Sequence, residues 1–415
     1  MKTDNILFIS YDGMTDPLGQ SQVIPYLKGL TAYGYRFTIL SCEKPDRLAL
    51  HKKEVEESIK EFAIKWSPIA YHKTPPVLST VYDLVMLKRK AKQLHRKEKF
   101  DMVHTRAGTP SLVGLWMKKK FGVKFLHDVR DFFADSRIDS GSWNYDNPVY
   151  RAIYHYFKKI EKEELEHCDG VVCLTNVARE IITQLPHYDK QKIIEVIPCS
   201  VDMNLFDPGK IDSATKEKLK EELDIHDNDI VFSYLGTTGG WYLTDQTMQL
   251  CSHISTMLSN VKFLFITPDD PQKILALAEK FGVNTARIIV KYAKRSEVPV
   301  LLSLSQYSTF FIKPCFSKKS SSPTKHGEIM AMGIPVITNA GVGDVKEIVE
   351  KYKSGFVMDS FSPVSFNEVI NNIDSSRKFD QAAIRAGARE FYSLEKAIRK
   401  YYNVYNTILR KPIYS

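Results

Sequence analysis

Short apolar runs of strand length alternate along this chain with longer segments in which apolar side chains recur at helical spacing. This alternation is typical of parallel β-sheets whose strands are joined by crossover helices, and it predicts an α/β fold. The runs that we interpret as strands of a first sheet are residues 5–10, 36–42, 102–105, 124–126 and 171–174. A second set, which predicts another sheet, comprises residues 230–235, 262–267, 287–290, 308–312 and 335–338.

Length and composition fit two domains of this kind. The chain has 415 residues, more than one hydrophobic core usually supports, and 43% of them are hydrophobic and 26% charged. No apolar run approaches the length that spans a bilayer, and the N-terminal residues enter a strand without the pattern of a signal peptide. We therefore expect a cytoplasmic protein.

The six cysteines are scattered among apolar runs and never have CxxC spacing. This distribution favours buried free thiols over disulfides or a metal site. We expect no metal and no cofactor.

The most informative segment is residues 320–344, SSSPTKHGEIMAMGIPVITNAGVGD. Pro323 suits the opening turn of a helix that Ser321 or Ser322 could cap, and the free N–H groups and dipole at such a helix start favour a phosphate. Lys325 places a cation in that turn, and Glu328, one turn later, could accept hydrogen bonds from a ribose diol. The pattern predicts a nucleotide-sugar site.

The rest of the segment predicts its place in a sheet. Met330, Ala331 and Met332 should pack inward, Gly333 should end the helix, and residues 334–337 are typical of a buried parallel strand. Ser-Pro before a helix and Gly before a strand are also common at the ends of helices and strands in any α/β fold. The pattern alone therefore leaves a purely structural interpretation open.

This segment resembles the C-terminal half of the Glu-x7-Glu motif in retaining GT-B glycosyltransferases of the large family four. By that resemblance Glu328 is the second glutamate, which holds the nucleotide ribose, and Ser320 stands where the first glutamate would contact the donor sugar. Some members carry a Ser-Pro-Thr-Lys version of this loop, which is closer to the present chain. The resemblance implies that Ser322, Thr324, Lys325 and Glu328 bind the donor.

The resemblance also implies a domain organisation. The GT-B fold has two Rossmann-like domains with parallel sheets that face each other across a cleft. Residues 192–208 resemble the family's Ile-Pro-x-x-Val-Asp-x-x-x-Phe segment at the entry to the second domain. We therefore expect an acceptor-binding domain over residues 1–187, a nucleotide-sugar-binding domain over 188–390, and a final helix within 391–415 that packs back on the first domain.

The loop after the first predicted strand, DPLGQSQ, also looks like that of family-four enzymes. Gly19 would let a ligand approach the backbone closely and is a donor-binding candidate. Gln20 and Ser21 would form the polar edge of the loop toward the acceptor or the diphosphate. The alternative is a simple strand-to-helix turn.

Polar residues follow the strand predicted at residues 124–126, where a parallel strand delivers side chains to a ligand crevice. His127, Asp128 and Arg130 are the catalytic candidates at this point. The cluster resembles an Asp-x-Arg-Gly-x-x-x-Asp-x-Arg subgroup motif, which makes Asp135 and Arg137 acceptor-binding candidates. A buried network of Asp and Arg ion pairs that holds the loop is the structural alternative.

Many family members carry an Arg and a Lys after the first strand of the second domain, but this chain has GTTGGWYLTD there. Backbone N–H groups of Gly236, Thr237, Gly239 and Gly240 could instead form an anion-binding concavity, which makes these residues donor-binding candidates. The two aromatic residues that follow could stack on a base or sugar, or simply pack.

The chain has a net charge of +9. Basic residues cluster on one predicted helix, with an apolar face that includes Leu84, Leu87, Ala91 and Leu94; they are Lys88, Arg89, Lys90, Lys92, Arg96, Lys97 and Lys99. A basic face on the acceptor domain could bind an anionic membrane surface, and the alternative is a solvated charged face. Nucleic acid is not an expected partner, because no recognised motif accompanies the charge.

The function that the resemblance implies is that of a retaining, metal-independent glycosyltransferase. It would transfer a sugar from a nucleotide-diphosphate sugar, in particular a UDP-sugar, to a glycan or lipid-linked acceptor in surface polysaccharide biosynthesis, at the inner face of the membrane. Two alternatives remain open from the sequence. One is a nucleotide-sugar 2-epimerase of the same fold, and the other is a non-catalytic subunit that binds a nucleotide sugar or a partner transferase.

Overall fold

The computed structural model describes residues 3–75, 77–374 and 379–409. They form two compact units. One unit contains the chain up to Pro198 together with the C-terminal segment that begins at Leu394, and the other is Cys199–Ser393.

The first unit is built around a parallel sheet. Its strands are β1 (Asn5–Ser10), β2 (Arg36–Glu43), β3 (Ile64–Ala70), β4 (Met102–Arg106), β5 (Lys124–Val129), β6 (Gly170–Cys173) and β7 (Ile193–Val196). They are arranged in the order β3-β2-β1-β4-β5-β6-β7, and every pair is parallel. The helices that connect them are α1 (Pro17–Gln22), α2 (Ile24–Thr31), α3 (Pro45–Ile59), α4 (Leu78–Glu98), α5 (Gly108–Phe121), α6 (Phe133–Asp139), α7 (Pro148–His167) and α8 (Asn176–Thr183).

The second unit repeats this plan. Its strands are β8 (Ile230–Leu235), β9 (Val261–Ile266), β10 (Ile288–Lys291), β11 (Tyr307–Thr309), β12 (Val336–Asn339) and β13 (Gly355–Met358). The parallel order is β10-β9-β8-β11-β12-β13. Its helices are α9 (Ser213–Glu222), α10 (Thr244–Met257), α11 (Pro271–Lys280), α12 (Val298–Leu302), α13 (Thr324–Ala331), α14 (Val345–Tyr352), α15 (Pro363–Asp374) and α16 (Gln381–Phe391).

Alternate residues of a central strand face different hydrophobic clusters, which explains the continuous apolar runs. In β1, Ile6 and Phe8 belong to a cluster that includes Tyr405, whereas Leu7 and Ile9 belong to a second cluster. Since helices cover both faces of a parallel sheet, apolar side chains are buried on both sides of such a strand.

All the strands predicted from apolar runs are present, with small differences at their ends. The pattern does not predict β3, β7 or β13, and each of these strands lies at an edge of its sheet. An edge strand has one neighbour and is partly exposed, so its sequence lacks the long apolar run of a central strand. Most of β3, for example, is only partly buried, and the strand contains Pro68.

The boundary between the two units lies later in the chain than the expected position between residues 187 and 188. The change of unit falls between Pro198 and Cys199, because β7 pairs with β6 and completes the first sheet. The chain returns to the first unit with α17 (Leu394–Leu409), which begins close to the expected position. Tyr401, Val404 and Tyr405 of α17 are buried in the first unit, as the resemblance implies for the final helix.

The cysteines are free, and all except the partly exposed Cys315 are buried. Within the described part of the chain, no helix is both long enough and apolar enough to cross a membrane.

Candidate active site

The clearest candidate for chemistry in the second unit is Lys325, near the start of α13. Its side chain is buried at 7% exposure, and Nζ finds no hydrogen-bond acceptor among the described residues. The ammonium instead lies 3.7 Å from the ring centre of Tyr242 and 5.0 Å from that of Tyr234. Burial lowers the pKa of Lys325 to about 7, an effect that the charge of Glu328 only partly offsets.

Lys325 lies at the carboxyl end of β8, beside Gly236. The φ of Gly236 is +106°, and a Cβ atom at this position would lie 3.0 Å from Lys325 Nζ. Strands β8 and β11 are neighbours whose connections leave on opposite sides of the strand order. In open α/β sheets ligands bind at the carboxyl ends of strands at such a switch point.

Glu328 is also buried, with 6% exposure, and its Oε1 accepts a hydrogen bond of 2.7 Å from Arg295 Nη1. Arg295 follows β10, and its guanidinium lies 5.3 Å from the ring centre of Phe206. Burial raises the pKa of Glu328, and the charges of Arg295 and Lys325 oppose that rise. The sequence did not single out Arg295, because nothing in its local pattern signals a contact with a residue more than thirty positions away.

The start of α13 differs from the prediction. Pro323 occupies the N-cap position with φ −67°, and no side chain caps the helix. Ser322 Oγ accepts a hydrogen bond from the backbone N–H of Cys199 at 3.3 Å instead. The amides of Thr324 and Lys325 precede the first intrahelical hydrogen bond, so they stay available at the positive end of the helix.

Ser320, which stands at the position of the family's first glutamate, faces inward. It is fully buried, and its Oγ donates a hydrogen bond of 2.7 Å to the carbonyl of Ser317. Met330, Ala331 and Met332 are buried as predicted, and Gly333 ends the helix with φ +72°.

In the glycine loop after β8, two of the four backbone N–H groups that the sequence predicts as anion donors form hydrogen bonds within the protein. The N–H of Gly236 donates to Ile266 O at 2.9 Å, and that of Gly239 donates to Thr244 Oγ1 at 2.9 Å. The amides of Thr237 and Gly240 have no acceptor among the described residues. The predicted concavity of four amides is therefore reduced to two.

The aromatic pair beside this loop packs under cations. Tyr242 lies under Lys325, and Lys318 Nζ lies 3.7 Å from the ring centre of Trp241. Both rings therefore hold basic side chains near the carboxyl end of β8.

In the first unit, Asp128 is the centre of a buried network. Its Oδ2 accepts hydrogen bonds from Tyr401 Oη at 3.0 Å and lies 3.3 Å from His104 Nε2, and its Oδ1 lies 3.2 Å from Arg130 Nε. Burial by itself would raise the pKa of Asp128, but Arg130 and His104 outweigh burial and lower the pKa to about 2. The side chain is 1% exposed and forms the buried ion-pair network that was the structural alternative to a catalytic role, and the catalytic role stays a prediction.

His127 points to the opposite face of the sheet, because successive residues of β5 alternate. Its Nε2 lies 3.7 Å from Glu164 Oε2, and burial lowers the pKa of His127 to about 4. Nδ1 is buried without a hydrogen-bond partner among the described residues. The structure therefore brings Asp128 and Arg130 together but separates His127 from them.

Asp135 and Arg137 lie on α6. Asp135 accepts hydrogen bonds of 2.9 Å from both Tyr154 and Lys158 of α7, which makes it an anchor between the two helices. Arg137 is exposed, and its guanidinium lies 5.0 Å from the ring centre of Phe133.

The candidates after β1 lie on α1. Gly19 is buried, and a Cβ there would come within 2.3 Å of Gly13 O, so the close approach that it permits is to the protein's own loop. Ser21 donates to Pro17 O at 2.7 Å, and Gln20 is exposed.

Glu43, which the sequence did not single out, holds this loop from the end of β2. Its buried carboxylate accepts hydrogen bonds from Met14 N at 2.6 Å, Thr15 N at 3.2 Å and Thr15 Oγ1 at 2.6 Å. The sequence feature that could have identified Glu43 is its position directly after the apolar run of residues 36–42.

Comparison with known proteins supplies the family. The model described as Glycosyl transferases group 1 matches residues 215–390, and the model described as Glycosyltransferase Family 4 matches residues 22–205. The Escherichia coli protein named UDP-Gal:alpha-D-GlcNAc-diphosphoundecaprenol alpha-1,3-galactosyltransferase is 22% identical over 290 residues, which cover 68% of this chain and 66% of that protein. The match thus spans slightly less than two thirds of the relative's length.

Solved structures share the whole fold. A glycosyltransferase from Rickettsia africae has a TM-score of 0.73 at 18% identity, with 99% of this chain and 100% of that chain covered. HepE from Anabaena, solved in complex with UDP and glucose, has a TM-score of 0.70 at 14% identity, with 97% and 99% covered. The solved structures show that the chain has the GT-B fold. Because the two family models together match residues 22–205 and 215–390, the chain belongs to the group 1, family-four glycosyltransferases.

Proposed function

We propose that this protein is a retaining, metal-independent glycosyltransferase that transfers a sugar from a UDP-sugar to a glycan or lipid-linked acceptor. The observation that supports this most strongly is the buried ammonium of Lys325, which has no hydrogen-bond acceptor among the described residues and lies beside Gly236. A buried polar group without a partner is costly, so a ligand that supplies an acceptor at this point would relieve that cost.

The diphosphate is the part of the donor that Lys325 would bind. The free amides of Thr324 and Lys325 open α13, and those of Thr237 and Gly240 follow β8 in the glycine loop, whose Gly236 lies beside Lys325 Nζ. Together these donors would stabilise the negative charge that develops as the bond between the sugar and the phosphate breaks.

Glu328 would bind the ribose. Arg295 already donates to Oε1 of its carboxylate, so the other oxygen is the one that would accept the ribose hydroxyls. Arg295 would thereby keep Glu328 ionised and oriented, since burial by itself favours the protonated acid.

The acceptor would attack the anomeric carbon on the face that the diphosphate leaves. The acceptor oxygen forms the new glycosidic bond while the bond to the phosphate breaks, and the leaving phosphate oxygen takes the hydroxyl proton. His127 and Arg130, at the carboxyl end of β5, are the groups that we propose contact the sugar or the acceptor, and Asp128 would position Arg130.

The relative from Escherichia coli bears a name in which the donor is UDP-Gal and the acceptor carries a diphosphoundecaprenol group. That name supports a UDP-sugar donor and a lipid-linked acceptor for the present chain.

Titration with UDP tests the donor site. We expect Lys325→Met and Glu328→Gln each to weaken UDP binding about ten- to hundredfold, because each loses a charge-assisted interaction worth roughly 1.5–3 kcal/mol. Lys273→Met and Glu279→Gln, exposed positions of α11 in the same unit, are the matched controls and should bind like the parent. Unchanged affinity in both site variants would refute the assignment.

Product analysis separates the alternatives. A transferase releases UDP from a UDP-sugar in proportion to acceptor glycosylated, whereas a 2-epimerase converts the UDP-sugar without an acceptor. A binding subunit would show affinity for UDP and no turnover with any acceptor.

A further inference from the structure

Helix α4 of the first unit has an inverted distribution of polarity in its N-terminal half. The residues that point inward there are polar, with Ser79 6% and Asp83 0% exposed. The residues that point outward are apolar: Leu78 is 67% exposed, Val81 53%, Tyr82 52% and Val85 40%. Their spacing of three and four residues places them on one face of the helix, and we call these four residues the apolar stripe.

The inward polar residues fix this orientation. Asp83 accepts hydrogen bonds from Tyr11 Oη at 3.0 Å and from the backbone N–H of His72 at 3.0 Å, and its Oδ1 lies 2.6 Å from His72 Nδ1. A rotation of α4 that buried the apolar stripe would turn Asp83 outward and break its contacts with Tyr11 and His72. The stripe is therefore held outward by the fold.

The same outward face becomes basic farther along the helix. Arg89 and Arg96 continue the register of the stripe and are exposed, as is Lys97. Leu87 and Ala91 take the inward positions in this half of the helix and are fully buried. The C-terminal half is thus an ordinary amphipathic helix, and the face as a whole is apolar at one end and cationic at the other.

We propose that this face of α4 docks on an anionic lipid bilayer, with the apolar stripe in the interface between headgroups and acyl chains and the basic end against the headgroups. An exposed apolar face beside clustered Arg and Lys is the combination that binds such surfaces, and a tyrosine is suited to the interface because its ring is apolar and its hydroxyl polar. This proposal does not depend on the donor site.

The exposed basic residues also revise which charges would matter. Lys88, Lys90 and Lys92 are only partly exposed, whereas Arg89, Arg96 and Lys97 are exposed. The attraction should therefore depend more on the arginines than a count of lysines in the sequence indicates.

Vesicle sedimentation tests the proposal. With vesicles of equal parts phosphatidylglycerol and phosphatidylcholine, we expect the stripe variant to bind at least about tenfold more weakly than the parent, because it loses apolar area at the interface. That variant carries Leu78→Gln, Val81→Gln and Val85→Gln. Glutamine is a good helix former, so α4 should persist.

The chain offers a control of identical composition. The variant with Leu50→Gln, Val149→Gln and Val364→Gln changes one leucine and two valines that are 75%, 62% and 67% exposed elsewhere. It should sediment like the parent. Charge reversal at Arg89 and Arg96 should also reduce binding, and reversal at the exposed Arg151 and Arg179 should reduce it much less.

The outcomes separate lipid from other occupants. Equal binding by the stripe variant and its control, or a parent that does not bind anionic vesicles at low salt, would overturn the proposal. A parent dimer in light scattering that the stripe variant dissociates would assign the stripe to a second copy and would overturn it as well. Equal thermal stability of both triple variants shows that a difference in binding does not come from unfolding.

Discussion

Lys325 shows what burial does to a single charged side chain. An ammonium that leaves water without an anionic hydrogen-bond partner loses hydration that a cation–π contact with Tyr242 replaces only in part. The pKa of Lys325 therefore falls to about 7, so at neutral pH the side chain is divided between its charged and neutral forms. An incoming phosphate would favour the charged form.

The pH dependence of UDP binding follows from this shift. Above pH 7 the free protein has lost the Lys325 proton, the terminal phosphate of UDP is already ionised, and the complex must take a proton up. We expect affinity to fall as pH rises from 7 to 9, by up to about tenfold per unit. Calorimetry in two buffers with different ionisation enthalpies measures the proton uptake, and Lys325→Met should abolish it. A pH-independent affinity in the parent would contradict the assignment.

Arg295 is expected to keep Glu328 ionised. In Arg295→Met the effect of burial is opposed by Lys325 alone, so the pKa of Glu328 rises further. Relative to the parent, UDP affinity should fall about tenfold near pH 6 and recover as pH rises, because an acid ionises above its pKa. Arg295→Lys should retain most of the affinity. Arg389→Met, an exposed position on α16, is the matched control.

His127 and Asp128 are neighbours in sequence with different expected roles. His127→Ala should lower kcat about a hundredfold with UDP affinity unchanged, if His127 acts in the transition state. Asp128→Asn should lower the thermal stability instead, because it removes an anionic partner of the buried Arg130. Single-turnover transfer and thermal unfolding measure the two effects, with the exposed His167→Ala as control. Normal turnover in His127→Ala would leave that histidine a packing role.

At the scale of elements, the loop between β8 and α10 is packed closely against the start of α13. Gly236 follows β8 with a positive φ, and its lack of a Cβ atom leaves the space that Lys325 Nζ occupies. Helix α13 is held against α16, where His326 Nδ1 lies 3.0 Å from Tyr392 Oη, so Lys325 cannot move away without the helix.

Gly236→Ala tests this coupling. The substitution introduces backbone strain of roughly 1–3 kcal/mol and places Cβ 3.0 Å from Lys325 Nζ. Gly282→Ala is the matched control, since Gly282 also has positive φ, +71°, and a Cβ there meets nothing within 4 Å. Both variants should be destabilised, and only Gly236→Ala should weaken UDP binding. Equal affinities in the two variants would separate the loop from the site.

At the scale of the whole molecule, the donor site should stabilise one unit more than the other. UDP at a hundred times its Kd stabilises the folded state by about 2.7 kcal/mol. Since Lys325, Glu328 and Arg295 all belong to the Cys199–Ser393 unit, hydrogen exchange should show protection there, strongest around α13 and the glycine loop. Protection confined to the first unit would contradict the proposed site.

The parallel sheets and their central strands follow from the sequence because each depends on local periodicity and composition, whereas the place of the final helix was implied by the family resemblance. A central strand of a parallel sheet is covered on both faces, so its residues must be apolar whatever elements pack against it. Strands β1 and β8 are therefore evident from their residues alone. The edge strands β3, β7 and β13 and the unit boundary are not, because they depend on which neighbour a weakly apolar segment finds.

The same division applies to the candidate site. Lys325 and Glu328 can be chosen from their spacing at a helix start, because helix geometry fixes which side chains lie near one another. Only the tertiary structure joins Arg295 to Glu328, places Asp128 in a network with Tyr401, and turns the apolar stripe of α4 outward. Each of these depends on contacts between residues far apart in the chain. Local pattern determines what a segment becomes, and packing between segments decides which of its side chains are left to meet a ligand or a membrane.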